Sequence, residues 1–326
     1  MRVFVYEYLT ALGVGAAPAD PLHGMFREGA AMRAAVVADF AALPGCEVVT
    51  LDGVSEADEP AAVAAHAGAA DWSLVIAPEF DGVLTTRCRW VLDVGGRLLG
   101  PDLGAVELAS DKFALAEHWR ERGIPTPATT DREPTPCEAF PVVWKPRDGC
   151  GSTATFLLRD RFELAAARAA VAAGEYAGPM VLQEFVPGVA ASVAFLCGPA
   201  GNVALPAAAQ HLSDDGRFRY VGGEIPLPGE LAERAARLAT RAVNCVPGLR
   251  GYVGVDLILG EARDVAVEIN PRLTTSYVGL RALARSNPAD ALLRAAAGDP
   301  PARLDWHDGA VHFSTDGSVA RSTSQA

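Results

Sequence analysis

Two short apolar runs toward the C-terminal end each contain one acidic residue, and this pair most constrains the fold. Residues 252–259 (YVGVDLIL) contain Asp256, and residues 265–269 (VAVEI) contain Glu268. Both runs have the length and composition of strands, and their proximity in sequence favours pairing. An unpaired carboxylate in a buried strand is costly. The pattern therefore predicts neighbouring strands whose two acids share a cation.

The residues that follow Glu268 extend this prediction. Asn270 offers a third oxygen ligand, and Arg272 adds a positive charge. Mg²⁺ prefers oxygen ligands, and in enzymes that use ATP it is usually held by one or two carboxylates together with substrate phosphates. We therefore expect Asp256, Glu268 and Asn270 to bind Mg²⁺, or Mn²⁺ in its place. The alternative, two ordinary polar strand residues, fits poorly because both acids lie inside apolar runs.

The composition indicates a globular protein of two or three domains. Hydrophobic residues make up 50% of the 326 residues, which is enough for a large core. The net charge of -12 argues against binding to nucleic acids or anionic membranes. No signal peptide or membrane-spanning run is recognised, and the six cysteines lack the spacing of a metal site or a disulfide framework. We therefore expect a cytoplasmic protein.

Periodicity divides the chain into an α/β part and a β-rich part. Up to about residue 105, strand-like runs alternate with alanine-rich helical segments, which is typical of a parallel sheet in a small Rossmann-like unit. Its first strand is not followed by the G-x-G-x-x-G fingerprint of a dinucleotide site. A helix is predicted after Ser110 as its N-cap. The Ser- and Thr-rich tail, residues 314–326, is predicted to be disordered.

A lysine and a glycine-rich turn predict an anion site in the middle of the chain. Lys145 ends an apolar run shortly before the turn that contains Gly149, Gly151 and Ser152. Such a turn can bring backbone N–H groups close to phosphate oxygens, and a lysine in an apolar strand loses hydration unless it meets an anion. Two plainer interpretations stay open, a hairpin loop and an edge-strand lysine that reaches solvent. Taken alone, Lys112 is more simply explained as a surface residue.

Five segments, in this order along the chain, resemble the ATP-grasp superfamily over about residues 110–280. They are Ser110-Asp111-Lys112, Trp144-Lys145-Pro146 with residues 149–152, Gln183 to Gly188, Asp256, and Glu268 to Arg272. The resemblance implies an α/β fold in which an N-terminal Rossmann-like domain is followed by two α+β subdomains that clamp ATP. The implied units are an N-terminal domain (1–108), a lid subdomain (109–185) and a C-terminal subdomain with the metal site (186–313).

The resemblance also implies roles for individual residues. The nucleotide would be bound by Lys112, Lys145, Gly149, Gly151 and Ser152 at its phosphates, and by the hinge Gln183, Glu184, Phe185 and Val186 at its adenine. Arg272 and Lys145 would be catalytic, with Arg272 stabilising charge on the reacting acyl group. One position departs from the pattern, because Ala190 stands where many members carry a glutamate that binds the ribose.

Members of this superfamily commonly join a carboxylate to an amine through an acyl phosphate, so the resemblance implies an ATP-dependent ligase. Four further segments are similar to the tyramine–glutamate ligases of methanofuran biosynthesis and their bacterial relatives in one-carbon metabolism: residues 5–10, 76–79, 210–223 and 270–277. This narrower resemblance implies L-glutamate and an aromatic amine, tyramine or a tyrosine-like compound, as substrates. Glu7 or Glu79 is a candidate to steer the ammonium group of the amine.

Two alternatives and the oligomeric state stay open from the sequence. One alternative is a ligase of the same chemistry that adds an amino acid to a peptide or a cofactor tail. The other is a sensor that binds ATP without turnover, which Ala190 favours and Arg272 opposes. A homodimer is compatible with the resemblance, since dimers are common among such ligases.

Overall fold

The structure, a computed structural model, describes residues 1–300 and 304–322. Its strands form three sheets, of three, four and eight strands. The first sheet is parallel, and the other two are antiparallel. The predicted α/β architecture, a Rossmann-like domain followed by two α+β subdomains, is confirmed.

The N-terminal domain is a parallel sheet with helices on both faces. Its elements are β1 (Arg2–Glu7), α1 (Tyr8–Leu12), α2 (His23–Ala41), β2 (Glu47–Thr50), α3 (Glu59–Gly68), β3 (Trp72–Ile76) and α4 (Val83–Asp93). The strand order β2-β1-β3 places β1 in the centre. Val3 and Val5 pack toward α2, whereas Phe4 and Tyr6 pack toward α3 and α4. This two-sided burial explains why β1 is apolar at consecutive positions.

Two helices lead from this domain to the rest of the chain: α5 (Leu103–Ser110) and α6 (Lys112–Glu121). Asp111 is the N-cap of α6, and its carboxylate accepts hydrogen bonds from two N–H groups of the first turn at 3.1 and 3.0 Å. Ser110, the predicted N-cap, instead ends α5. The cap fixes the start of α6 and therefore the position of Lys112.

The lid subdomain is built on the four-stranded sheet. Its elements are β4 (Thr129–Thr130), β5 (Val142–Pro146), β6 (Phe156–Leu158), α7 (Arg161–Ala172) and β7 (Met180–Glu184). The order is β4-β7-β5-β6, so β5, which carries Lys145, lies between two partners. Leu164 and Ala167 of α7 pack against Trp144 and Phe156 of the sheet. Lys145 is therefore on an inner strand, and the edge-strand interpretation is wrong.

The C-terminal subdomain contains the eight-stranded sheet. Its elements are β8 (Val189–Gly198), β9 (Gly201–Ala204), β10 (Ala208–Leu212), β11 (Tyr220–Ile225), α8 (Gly229–Asn244), β12 (Gly251–Leu259), β13 (Asp264–Asn270), α9 (Ser276–Leu283), α10 (Pro288–Ala297), β14 (Ala310–Ser314) and β15 (Val319–Ser322). The main path is β13-β12-β8-β10-β11-β14-β15, with β9 paired to β8. One face of α8, formed by Ala235, Leu238, Ala239 and Ala242, is buried at helical spacing. This face packs on the sheet that holds Asp256 and Glu268.

One buried contact ties the N-terminal domain to the C-terminal subdomain. Asp39 of α2 accepts a hydrogen bond from the Tyr277 hydroxyl at 2.8 Å and one from Arg281 at 2.7 Å. Both partners lie on α9, and apolar residues of α2, α9 and α10 share one core around them. The two units therefore pack together through side chains more than 200 residues apart in sequence.

The structure differs from the sequence prediction at the C-terminal tail and at the first domain boundary. The disorder prediction is wrong for residues 314–322, because β15 pairs with β14; residues 323–326 lie outside the described residues. All four β15 residues are exposed, so this edge strand has no buried positions that would give an apolar strand pattern in the sequence. The boundary predicted after residue 108 falls inside α5. The division into 1–108, 109–185 and 186–313 stays a prediction.

Within residues 1–300 and 304–322, no helix combines the length and the hydropathy that crossing a bilayer requires.

Candidate active site

A cavity of about 510 Å³ lies where the N-terminal domain, the lid and the C-terminal subdomain meet. Every residue that the sequence predicted for nucleotide, metal or catalytic function lines it: Lys112, Lys145, Gly149, Gly151, Ser152, Gln183, Glu184, Phe185, Val186, Asp256, Glu268, Asn270 and Arg272. These residues are spread over more than 150 positions of the chain, so the fold brings them together. Their individual roles stay predictions.

The two acids of the apolar runs face each other across a strand pair. Asp256 of β12 is directly opposite Glu268 of β13, next to a register shift in the pairing. Asp256 accepts hydrogen bonds from Gln210 at 3.0 Å and from Asn270 at 3.1 Å. Burial and the nearby charge of Glu268 raise the pKa of Asp256. Two carboxylates held together out of water favour either a proton or a cation between them.

Both lysines of the chain lie at this carboxylate pair. The other 26 of its 28 basic residues are arginines, so Lys112 and Lys145 are the only two lysines. The Lys112 ammonium is 3.5 Å from a carboxylate oxygen of Glu268 and donates a hydrogen bond to the Gly149 carbonyl at 2.8 Å. Its side chain is only 11% exposed, so the surface interpretation of Lys112 is wrong. A compact ammonium group fits between these partners more easily than a planar guanidinium.

Lys145 is buried, and its surroundings have opposing effects on its pKa. Burial lowers the pKa of Lys145 to about 8, although the charges of Glu268 and Asp256 oppose this effect. Burial alone would raise the pKa of Glu268, but the charges of Lys112 and Lys145 lower it. Glu268 is therefore ionised at neutral pH, and Lys145 is charged there but destabilised until an anion binds.

The glycine-rich loop between β5 and β6 is folded over the cavity. Gly149 and Gly151 have φ of 126° and 66°, which suits glycine, and Ser152 takes a left-handed conformation with φ of 57°. The Ser152 hydroxyl donates to the Phe218 carbonyl at 2.7 Å. At the start of the loop, Asp148 accepts a hydrogen bond from the backbone of the N-terminal domain at 2.9 Å. The loop thus contacts both neighbouring units through hydrogen bonds.

The predicted hinge follows β7 directly. Gln183 is buried, and its side-chain amide donates to the Thr129 hydroxyl at 2.9 Å. Glu184 is exposed and makes a salt bridge at its side chain, which leaves its backbone as the part that can serve the cavity. Among the described residues, the N–H of Val186 donates no hydrogen bond to the protein. An unused donor at the edge of a cavity suits a planar heterocycle such as adenine.

Arg272 is held by a glutamate of the N-terminal domain. Its guanidinium nitrogens lie 2.8 and 3.1 Å from the two carboxylate oxygens of Glu79, and it also donates to the Leu273 carbonyl at 3.1 Å. The 2.8 Å contact joins Arg272 Nε to Glu79 Oε1. It is close enough for an ion pair, but its geometry is not that of a hydrogen bond. Burial opposes the charge of Arg272, but Glu79 outweighs it and raises the pKa further. The arginine therefore stays charged and fixed.

Gln210 and Glu28 are polar residues of this cavity that were not among the predicted site residues. Gln210, which donates a hydrogen bond to Asp256, begins the segment 210–223 of the narrower resemblance but had no predicted role of its own; its signal is a polar residue after three alanines. Glu28 lines the cavity from α2, where an isolated glutamate in a surface-type helix gives no signal. Ala190 does line the cavity, as its place in the pattern predicts, but brings no group that can bind a ribose hydroxyl.

The donor set fits the predicted divalent cation. Asp256 and Glu268 supply carboxylates, and Asn270 uses its amide nitrogen toward Asp256, which leaves its amide oxygen as a ligand. Among the described residues, no three His, Cys, Asp or Glu side chains form a metal-binding group. A site with two carboxylates and one amide suits Mg²⁺ that completes its coordination with phosphates and water.

Comparison with known proteins identifies the family. The family model of the ATP-grasp domain matches residues 109–276, and that of the pre-ATP-grasp domain matches residues 33–106. The chain belongs to the ATP-grasp superfamily. The two matched ranges together cover most of the chain, and the ATP-grasp range contains all the predicted site residues.

Among curated proteins, the chain is similar to two tyramine–L-glutamate ligases. It is 29% identical to that of Methanocaldococcus fervens over 211 residues, which are 65% of this chain and 62% of the relative. It is 28% identical to that of Methanocaldococcus jannaschii over 214 residues, 65% of this chain and 58% of the relative. The matched region thus spans about 60% of the length of each relative.

Solved structures share the fold at lower identity. An ATP-grasp superfamily protein from Archaeoglobus fulgidus aligns with a TM-score of 0.69 at 23% identity, over 96% of this chain and 92% of the other. The N5-carboxyaminoimidazole synthase of Aspergillus clavatus, in complex with ADP, gives 0.71 at 18% identity, over 96% and 81%. An L-amino acid ligase from Bacillus licheniformis gives 0.66 at 16% identity, over 96% and 79%.

Proposed function

We propose that this protein is an ATP-dependent carboxylate–amine ligase. It would join the γ-carboxylate of L-glutamate to tyramine or a tyrosine-like amine through an acyl phosphate, as a step in the synthesis of a methanofuran-type cofactor. The observation that carries the proposal is one cavity lined by two lysines, a half-buried carboxylate pair and a fixed arginine. Membership of the ATP-grasp superfamily and the similarity to tyramine–L-glutamate ligases support the reaction and the substrates.

The first step would form the acyl phosphate. An oxygen of the substrate carboxylate attacks the γ-phosphorus of ATP, and ADP leaves. Phosphoryl transfer of this kind depends mostly on positioning and on neutralising charge. Lys112 and Lys145 would hold the phosphates, and N–H groups of the loop from Gly149 to Ser152 would close over them. The backbone of Glu184 and Val186 would bind the adenine.

A divalent cation would add to this neutralisation. Mg²⁺ held by Asp256, Glu268 and Asn270 would balance charge on the β- and γ-phosphates. The charge on Glu268 that this requires is favoured by Lys112 and Lys145, which lie beside it. Gln210 would orient the Asp256 carboxylate through its hydrogen bond of 3.0 Å.

The second step would form the amide. The ammonium group first loses a proton, and the neutral amine nitrogen attacks the acyl carbon. The bond from that carbon to the phosphate oxygen breaks, and the departing phosphate takes the proton of the attacking nitrogen. Arg272 would stabilise the negative charge that develops at the acyl group and the departing phosphate. Glu79 would keep the guanidinium in place through the ion pair at 2.8 Å. In sum, ATP, a carboxylate and an ammonium group give ADP, phosphate, an amide and one proton.

The test is ADP release with Mg-ATP, L-glutamate and either tyramine or tyrosine, followed by mass analysis of the product. A γ-glutamyl amide formed in equal amount with ADP is the expected result and identifies the amine. ADP release only with other acid and amine pairs would keep the ligase but reject these substrates. Nucleotide binding without turnover for any pair would reject the ligase and favour an ATP sensor.

A further inference from the structure

Glu28 lies beside the reacting end of the cavity and has no part in the steps above. It is a half-buried residue of α2 that lines the cavity. The Thr275 hydroxyl donates a hydrogen bond to its carboxylate. Thr275 follows Arg272 by three positions, so this contact ties Glu28 to the segment that holds the proposed catalytic arginine.

The helix face around Glu28 is apolar. Met25, Glu28, Gly29 and Met32 all line the cavity, and their spacing places them on one face of α2. The Glu28 carboxylate therefore lies between two methionines, and the Glu7 side chain packs against Gly29, which has no Cβ to keep it away. Flexible, polarisable methionine side chains pack well against aromatic rings. Among the described residues, Glu28 is the one acid that α2 itself contributes to the cavity lining.

Two other acids of the N-terminal domain near this end are already engaged. Glu79 is paired with Arg272 at 2.8 Å. Glu7 caps α1, where its carboxylate accepts hydrogen bonds from two backbone N–H groups at 3.3 and 2.8 Å. Both were candidates from the sequence to steer an ammonium group, and the structure commits them to other partners. Glu28 has only a hydroxyl as hydrogen-bond partner among the described residues.

The charge on Glu28 is incompletely compensated. Burial raises the pKa of Glu28, and the Thr275 hydroxyl and the more distant charge of Arg272 offset this only in part. A cation bound beside the carboxylate would stabilise its negative charge and offset the effect of burial. In the part of the chain that the structure describes, the cavity is lined by three cationic side chains: Lys112 and Lys145 at the metal end, and Arg272 beside Glu79. The wall formed by α2 has none.

From this arrangement we infer that Glu28 binds the ammonium group of the amine substrate, while Met25 and Met32 contact its aromatic ring. The site would then select an arylalkylamine such as tyramine over the corresponding amino acid, because the extra carboxylate of tyrosine would meet Glu28 and find no free cation on this wall. The inference rests on the proposed ligase function and deepens it by assigning the amine subsite.

The test separates the two half-reactions. Hydroxylamine is small and largely neutral at pH 7.5, so it can intercept the acyl phosphate as a γ-glutamyl hydroxamate without an ammonium subsite. Glu28→Gln should keep hydroxamate formation and the KM for L-glutamate close to wild type. Its KM for tyramine should rise about 10- to 100-fold, the cost of losing a hydrogen bond to a charged group. Glu28→Asp, which keeps the charge, should recover part of this loss. Glu56→Gln, an exposed residue outside the cavity, is the matched control.

The outcomes distinguish this inference from the function on which it rests. Wild-type protein that forms neither hydroxamate nor amide would contradict the ligase itself. An unchanged KM for tyramine in Glu28→Gln, with hydroxamate formed normally, would overturn the amine subsite alone. If the KM for L-glutamate rises instead, Glu28 binds the amino group of L-glutamate, and this result would also overturn the amine subsite. Wild-type protein that uses tyrosine as efficiently as tyramine would overturn the selectivity.

Discussion

Replacing Lys145 with methionine should stabilise the nucleotide-free protein while impairing its use of ATP. Burial lowers the pKa of Lys145 from 10.5 to about 8, which corresponds to about 3 kcal/mol against the charged form. At pH 7 the side chain is charged in both folded and unfolded chains, so the folded state bears this cost. Lys145→Met removes the charge at similar volume and should raise the free energy of unfolding by up to about 3 kcal/mol.

The pH dependence of this effect has a defined sign. Between pH 8 and 10.5 the unfolded chain binds more protons at Lys145 than the folded one, so the stability of the wild type rises with pH in this window. The gain in unfolding free energy of Lys145→Met over the wild type should therefore be largest below pH 8 and become smaller toward pH 10. Phosphates beside the ammonium would stabilise its charge, so Lys145→Met should lose about 10- to 100-fold in ATP affinity.

The assay uses the fact that the chain has only two lysines. NMR of protein labelled at lysine side chains should give two signals, and Lys112→Arg assigns them. The Lys145 signal should titrate near pH 8 without nucleotide and at a higher pH with Mg-ATP. Thermal unfolding of Lys145→Met at pH 7 and pH 10 gives the stability. A Lys145 midpoint near its ordinary value of 10.5, or a variant clearly less stable than wild type at pH 7, would refute the reasoning.

Three further predictions follow from the carboxylates. Glu268→Gln should reduce turnover about 100-fold or more in protein that is still folded, whereas the exposed control Glu261→Gln should keep both turnover and the unfolding midpoint near wild type; retained turnover in Glu268→Gln would contradict the metal assignment. Asp39→Asn should cost about 1 to 3 kcal/mol, seen as a lower midpoint than in the exposed control Asp131→Asn, since it weakens the contact between α2 and α9. Asp111→Ala should destabilise by about 1 kcal/mol and weaken ATP binding, whereas Asp111→Asn keeps the cap; equal stability of the two variants would exclude capping as the cause.

The parts of the fold that local patterns determine were predictable from the sequence. The runs that contain Asp256 and Glu268 form β12 and β13 with nearly the predicted bounds, because apolar residues on both faces of a strand require burial. The pairing of the two acids follows from a short connection between adjacent strands. The closeness of Lys145 to this pair also agrees with the argument that a lysine in an apolar strand needs an anion.

The remaining features depend on contacts that no local pattern encodes. The ion pair of Arg272 with Glu79 joins residues 193 positions apart, and the contact of Thr275 with Glu28 joins residues 247 apart. Lys112 looked like a surface residue because its burial comes from the lid loop, which is distant in sequence. The exposed strand β15 looked like a disordered tail because only its backbone pairs with the sheet.

The most direct test of the central claim follows one oxygen atom. L-glutamate labelled with ¹⁸O in its γ-carboxylate is incubated with Mg-ATP, tyramine and the protein, and the released phosphate is analysed by mass spectrometry. Attack of the carboxylate on the γ-phosphorus predicts one ¹⁸O atom in each phosphate released with the γ-glutamyl amide. Unlabelled phosphate formed together with the amide would contradict the acyl-phosphate mechanism at this site.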